Sequence, residues 1–196
     1  SLNPKRGESY LDLTAGYGGH AGKILDVTQN YKDTVLVDRD EFAVGCLTEK
    51  FAKVEIMNTD FYSAVLQLIE CGKTFDMILA DFGVSSPQLD MEERGFSFSK
   101  DGPLDMRMDV RCKTTAADLI EKLSDSELAD ILYEYGDIKK SRMLAKILKQ
   151  KLPQTTFELR DLIKNPNDVA PVFQALRIAL NDEMGQIKSA LADAHD

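Results

Sequence analysis

Histidine and cysteine are scarce in this chain. Its 196 residues include two histidines, His20 and His195, and three cysteines, Cys46, Cys71 and Cys112. Two histidines leave little for a histidine-rich metal centre. An odd number of cysteines at wide, unrelated spacings fits neither a disulfide framework nor a zinc site. The expectation is a reduced, cytoplasmic protein with no metal. No apolar run approaches the ~20 residues of a membrane span, no signal-peptide pattern opens the sequence, and no membrane partner is expected. Internal repeats and low-complexity tracts are lacking too. Basic charge is in deficit: the net charge is −9 and the isoelectric point near 4.8. That excludes indiscriminate binding to nucleic acid, because attraction to phosphate needs basic surface. What is present is enough apolar material, 43% of residues, for the core of one domain or of one domain with a modest insertion.

The first 82 residues alternate strand and helix signals. Apolar strands are expected at Ser9–Ala15, Thr34–Asp38, Val54–Met57 and Phe75–Phe82, with helices at Ala21–Val27, Glu41–Phe51 and Ser63–Cys71 between them. Continuous apolar strands separated by helices indicate parallel pairing with both faces covered, an α/β sheet of the doubly wound kind. Gly83–Lys113 then shows no clear period. Its apolar residues favour an ordered loop wrapped over a site, the alternative being a loop folded on its own small core. From Thr115 to Lys164 the signals are helical, with capping-box patterns at Ser124–Glu127 and Thr155–Glu158 and a helix end at Gly136. After a break at Asn165-Pro166-Asn167, Val172–Ala194 reads as one amphipathic helix. No fifth strand follows.

The strongest local feature is the first strand with its turn, Asp12-Leu13-Thr14-Ala15-Gly16-Tyr17-Gly18-Gly19-His20. Glycines let the backbone turn tightly beside a ligand, and the helix that follows offers free amides. Asp38 stands 22 residues after Gly16, near the ~20-residue offset of an acid that accepts a ribose diol. Its alternative is a helix cap, with Asp40 the other candidate. Turn and acid together favour a nucleotide-like cofactor, either a nicotinamide dinucleotide (an NAD-dependent oxidoreductase) or S-adenosylmethionine. The third glycine of G-Y-G-G-H-A-G falls one place late for a dinucleotide. Asp12 is also a poor neighbour for a pyrophosphate and an acceptable one for a sulfonium, which tips the choice to S-adenosylmethionine. Asp60-Phe61 adds an acceptor and an aromatic face, with plain core the alternative for Phe61. The fourth strand delivers Asp81, Ser85, Ser86 and Pro87 to the carboxyl edge of the sheet. There a carboxylate and small hydroxyls could align an exocyclic amine with a methyl donor, against the simpler reading of a Ser-Pro turn.

The run Phe75–Asp109, with GVSSPQLD, ERGFSF and DGPLDMRMD, closely resembles the bacterial small-subunit ribosomal RNA cytosine-N4 methyltransferases, the RsmH (MraW) family. DLTAGYGGHAGKIL, LVDRDEFAV and FQALRIALNDE resemble the same family in the same order. Before FQALRI the family usually carries His-Pro-Ala-Thr-Arg, where this chain has Asp168-Val169-Ala170-Pro171-Val172. The resemblance implies a Rossmann-like fold with an inserted all-helical domain, divided as 1–110 with 168–196 (methyltransferase) and 111–167 (insertion). It implies an S-adenosylmethionine-dependent enzyme that methylates the N4 amine of one cytidine on the assembled small ribosomal subunit, and it leaves a homodimer open. Carried over by motif, cofactor contacts are Gly18, Gly19, His20, Asp38, Phe61, Asp81 and Gln88. On the substrate side, a flipped base needs stacking faces and its strand needs cations. Phe96 and Phe98 are candidates for the first, Arg94 and Arg107 for the second. Lys139, Arg142, Lys146 and Lys149 share one face of a helix and form a basic stripe on an acidic protein, unless that face is merely solvated. A non-catalytic ribosome-assembly or RNA-binding module is the remaining alternative.

Overall fold

The computed structural model describes residues 2–193; His195 and the last residue of the expected helix to Ala194 lie outside that range. Two compact units are formed, one by Ser1–Gly83 with Gly185–Asp196 and one by Val84–Met184.

In the first unit the order is β1 (Tyr10–Asp12), α1 (Gly19–Thr28), β2 (Thr34–Asp38), α2 (Glu41–Lys50), β3 (Glu55–Asn58), α3 (Phe61–Glu70) and β4 (Met77–Leu79). All three strand pairings are parallel and the spatial order is β3-β2-β1-β4. This is the α/β, Rossmann-like architecture read from the sequence. Both faces are covered, as the apolar strands require. Ile24, Leu25, Leu47 and Phe51 of the α1–α2 segment pack with Tyr10 and Leu36, while Phe61, Ala64, Val65 and Leu68 of α3 pack with Leu11, Val35 and Val37. The chain runs from β1 outward through β2 to β3 and then returns to the other side of β1. That reversal leaves a crevice at the carboxyl ends of β1 and β4, where open α/β sheets take their ligands.

β1 and β4 are shorter than their apolar runs. Beyond the ladder, Leu13 donates to the Leu79 carbonyl and Ala15 to the Val37 carbonyl, at 2.9 Å each, so the chain after β1 is tied to both neighbours.

The second unit contains α4 (Ser86–Asp90), α5 (Ala116–Lys122), α6 (Asp125–Gly136), α7 (Ser141–Lys151), α8 (Thr156–Leu162) and α9 (Val169–Leu180), with 3-10 turns at Glu92–Arg94 and Pro166–Asp168. The aperiodic stretch is not an open strap in this unit. Phe96, Leu104, Met106 and Met108 join Ile120, Leu128, Leu132, Leu148, Phe173 and Leu176 in one core. The compact units therefore meet near Gly83 and Met184, not at 110 and 168, because both the stretch after β4 and α9 bury their apolar residues among the helices.

The single helix expected from Val172 to Ala194 is two, α9 and α10 (Glu183–Asp193). Asn181 caps α9, and Asp182 follows in a left-handed conformation at φ 47°. The break is stabilised by distant chain. Asn181 Oδ1 accepts from the Met108 amide at 2.9 Å, and its Nδ2 donates to the Met106 and Arg177 carbonyls at 2.9 Å each. Met106 is itself at positive φ, 59°, a strained backbone for a methionine.

Replacing Asn181 by Ala strands a buried amide and a buried carbonyl, each costing roughly 1–3 kcal/mol. Asn181→Ala is expected to lower unfolding stability by about 2–4 kcal/mol, read as a lower urea midpoint. Limited proteolysis should show new cleavage between Gly95 and Val110. An unchanged midpoint would mean that the loop does not depend on this side chain.

Candidate active site

The turn after β1 carries the site. Gly18 occupies the N-cap of α1 at φ 75°, and a Cβ there would lie 2.5 Å from the Phe51 ring. Only glycine satisfies both demands, so substitutions at Gly18 report on folding before they report on a ligand. No side chain caps α1, and its first turn holds no acidic residue.

Gly16 donates its amide to Asp38 Oδ2 at 2.7 Å, and Asp40 donates to Asp38 Oδ1 at 2.8 Å. Each carboxylate oxygen thus accepts one backbone N–H and keeps a second lone pair. The cap of α2 is Asp40, which accepts from Phe42 at 3.1 Å, so Asp38 is left to the turn. Burial pushes the Asp38 carboxyl above its usual range, against the pull of the Asp40 and Gly16 amides. Asp12 is fully buried beneath the turn. Its Oδ2 accepts from the Tyr10 hydroxyl at 2.7 Å and its Oδ1 from the Thr14 amide at 3.2 Å. Burial raises this carboxyl too, more than those bonds lower it.

On the β4 side, the Asp81 amide donates to Thr14 Oγ1 at 2.6 Å. Its carboxylate is exposed, with His20 Nδ1 3.9 Å from Oδ2. Thr14 was not among the residues singled out from the sequence, yet it joins the glycine turn to the end of β4. Asp60 caps α3 through the Ser63 amide and hydroxyl at 2.9 and 2.8 Å. Phe61, the next residue, lies in the core at 5% exposure, and its ring meets that of Phe82 at 5.1 Å between centroids. The structure therefore brings Asp12, Thr14, Gly16, His20, Asp38 and Asp81 together at one edge of the sheet. A groove of about 450 Å³ beside the turn is lined by Gly18, Gly19, Lys23, Tyr31, Lys50 and Phe51, and Asp38, Phe61 and Asp81 are not part of that lining.

The remaining candidates belong to the helical unit. Ser85 caps α4 in a reciprocal box with Gln88: Ser85 Oγ accepts from the Gln88 amide at 3.4 Å and Gln88 Oε1 from the Ser85 amide at 3.0 Å. Pro87 sits in the first turn of α4, and Ser86 is exposed. Arg94 is 5% exposed and donates to the Arg107 and Met108 carbonyls at 3.0 and 3.3 Å, with its guanidinium over the Phe96 ring. Arg107 is held by a two-pronged ion pair with Asp105 at 2.7 Å. Arg94, Phe96 and Arg107 are thus engaged in holding the loop, whose apolar residues share the core of the helices. Phe98 is 39% exposed and meets Phe173 edge-on at 5.7 Å. Lys139, Arg142 and Lys146 are exposed, whereas Lys149 is turned inward to the Ile120 and Glu121 carbonyls at the end of α5.

Comparison with known proteins bears on this arrangement. The family model described as the MraW methylase family matches residues 1–196. A protein of Gloeothece citriformis named ribosomal RNA small subunit methyltransferase H is 43% identical over 198 residues, which are 95% of this chain and 66% of the relative. Proteins of the same name from Lactobacillus johnsonii and Caldicellulosiruptor saccharolyticus are 39% and 41% identical, covering 99% and 93% of the chain and 69% and 64% of theirs. The chain spans about two thirds of the length of these relatives. With a match that runs its whole length, the chain belongs to the MraW methylase family.

Proposed function

We propose that this chain binds S-adenosylmethionine at the carboxyl edge of its sheet and methylates the N4 amine of a cytidine in small-subunit ribosomal RNA. The observation that carries the reading is the turn after β1, which is bonded to Asp38 on one side and to Asp81 on the other. Family membership sets the dinucleotide alternative aside.

The donor set suits such a cofactor. Asp38 offers a free lone pair on each oxygen to a ribose diol, and Gly19 exposes backbone at the uncapped start of α1, while Gly18 is buried with its amide bonded to the Ala15 carbonyl and acts by shaping the turn. Asp12, Asp38 and Asp81 concentrate negative charge where a cationic sulfur and an ammonium need it. Phe61 lies in the core behind the exposed Phe82 ring and supports that face from within, and His20 is a further contact. When bound, the cofactor supplies a methyl group activated by positively charged sulfur. Asp81 is exposed and has its backbone fixed by Thr14, so it can accept a hydrogen bond from the exocyclic amine and later its proton. The work is mainly positioning. Ser85 orders α4 through its cap, Pro87 fits the first turn of that helix, and Ser86 presents an exposed hydroxyl a few residues after Asp81. For RNA, Lys139, Arg142 and Lys146 supply phosphate contacts and Phe98 an aromatic edge, while Arg94, Phe96 and Arg107 act by keeping their loop in shape.

Methyl transfer is tested with radiolabelled S-adenosylmethionine and purified small ribosomal subunits, followed by mass analysis of digested RNA. Label in N4-methylcytidine is the expected product, with a loss of at least about a hundredfold in Asp81→Ala. Particle binding without any transfer would favour a non-catalytic assembly module.

Cofactor affinity is expected to fall with pH at a point above the ordinary carboxylate range, because the raised Asp38 carboxyl takes up its proton early and loses an acceptor. Titration calorimetry over a pH series checks this. Asp38→Asn should bind about tenfold or more weakly at neutral pH and lack that inflection.

Reversing Lys139, Arg142 and Lys146 to Glu should weaken particle binding and flatten its salt dependence without changing cofactor affinity. Arg94→Ala should instead lower the unfolding midpoint.

A further inference from the structure

Phe82 is an aromatic side chain that the sequence reading passed over. It follows Asp81 directly and stands 43% exposed at the end of β4. A singly exposed phenylalanine is ordinary by itself, and what distinguishes this ring is how firmly it is held beside a carboxylate. Three features hold this one in place. Its inner side leans on the buried Phe61 ring at 5.1 Å and 55°, a tilted aromatic contact that fixes its orientation. The residue before it is fastened through the Asp81 amide to Thr14 Oγ1 at 2.6 Å. The residue after it, Gly83, takes φ 150°, a conformation that side chains avoid, with open space around the Cβ position. Backbone on both sides is therefore set so that the ring faces outward next to a carboxylate. Tyr10, Asp12 and Thr14 form the chain of hydrogen bonds that anchors the clamp in the core.

We infer that Phe82 is a nucleobase-stacking platform, kept in position by Phe61 behind it and by the Thr14 clamp on Asp81. A flat ring whose edge carries an amine suits this pairing of a hydrophobic face with a neighbouring acceptor: stacking holds the base, and the Asp81 carboxylate receives its exocyclic N–H. Adenine and cytosine share that chemistry, one from the cofactor and one from the RNA. The inference rests on the methyltransferase reading for the presence of those two bases, and on the geometry alone for the platform. Thr14 acts as a positioning residue, since it touches the base only through the placement of Asp81 and Phe82.

The chain holds no tryptophan, so Phe82→Trp introduces a single fluorophore at the platform. Saturable quenching of that tryptophan by adenosine, by S-adenosylmethionine or by a short cytidine-containing RNA is the expected result. Phe82→Ala should weaken binding of the same ligand about tenfold or more, and Phe82→Leu, which keeps bulk without an aromatic face, should not restore it. A loss confined to adenosine and S-adenosylmethionine assigns the face to the cofactor; a raised KM for RNA with unchanged cofactor affinity assigns it to the cytidine. Thr14→Val should reproduce part of the defect and Thr14→Ser should rescue it, with unfolding midpoints unchanged. Full binding by Phe82→Ala, full rescue by Phe82→Leu, or unquenched tryptophan at saturating ligand would each overturn the platform. Binding is read without catalysis, so quenching together with absent methyl transfer would sink the enzyme reading and leave the platform standing.

Discussion

β1 has a neighbour on each side, and its chain leaves the ladder before either neighbour ends. Leu13 and Ala15 continue outward by bonding to Leu79 and Val37. From there, Thr14 and Gly16 take hold of Asp81 and Asp38, one from each flank. Asp38 repels the Asp12 carboxylate, and burial disfavours charge on both. The turn counters this with oriented N–H groups from Thr14, Gly16 and Asp40 and with the Tyr10 hydroxyl. Asp12 and Asp38 can stay buried as acceptors because the fold supplies those donors permanently.

The helical unit solves a different problem. Its long aperiodic stretch has few ladder partners of its own, so its backbone groups must be met by side chains reaching in from elsewhere. Arg94 meets two carbonyls, Asn181 meets an amide and a carbonyl, and Thr156 Oγ1 donates to the Lys100 carbonyl at 2.7 Å while accepting from Gly102. Charged and polar residues that look like ligands for RNA in the sequence are in part the fasteners of the loop. An arginine's five donors in a fixed fork serve either purpose.

The α/β alternation was legible because apolar runs of strand length record burial on both faces, and Thr34–Asp38 is bounded as read. Apolar character did not give the length of the hydrogen-bonded ladder, which is why β1 and β4 run to only three residues each. α4 was written as Ser-x-x-Gln with a proline inside the first turn, a capping signal that passed for a Ser-Pro turn. The break at Asn181 could not be seen. Leu180, Met184 and Ile187 keep helical spacing across it, and the force that bends the chain comes from Met106 and Met108, more than seventy residues away. Thr14 and Phe82 were hidden for a related reason. A hydroxyl in a glycine-rich turn and an aromatic after a strand carry no pattern of their own, and each acquires its place from a partner distant in sequence.

Charge is divided in a way that net composition conceals. Asp12, Asp38 and Asp81 make the sheet edge hostile to phosphate and hospitable to a cation, so a nucleic acid could not be held there by its backbone. Between Ile138 and Phe157 there are six basic side chains and no acidic one. Buried Arg94, paired Arg107 and inward-turned Lys149 are engaged within their own unit, whereas Lys139, Arg142 and Lys146 are exposed. Under the proposed function, an uncharged aromatic base is the portion of a nucleic acid that approaches Asp81 without electrostatic penalty, and the exposed Phe82 ring beside that carboxylate is of the matching kind.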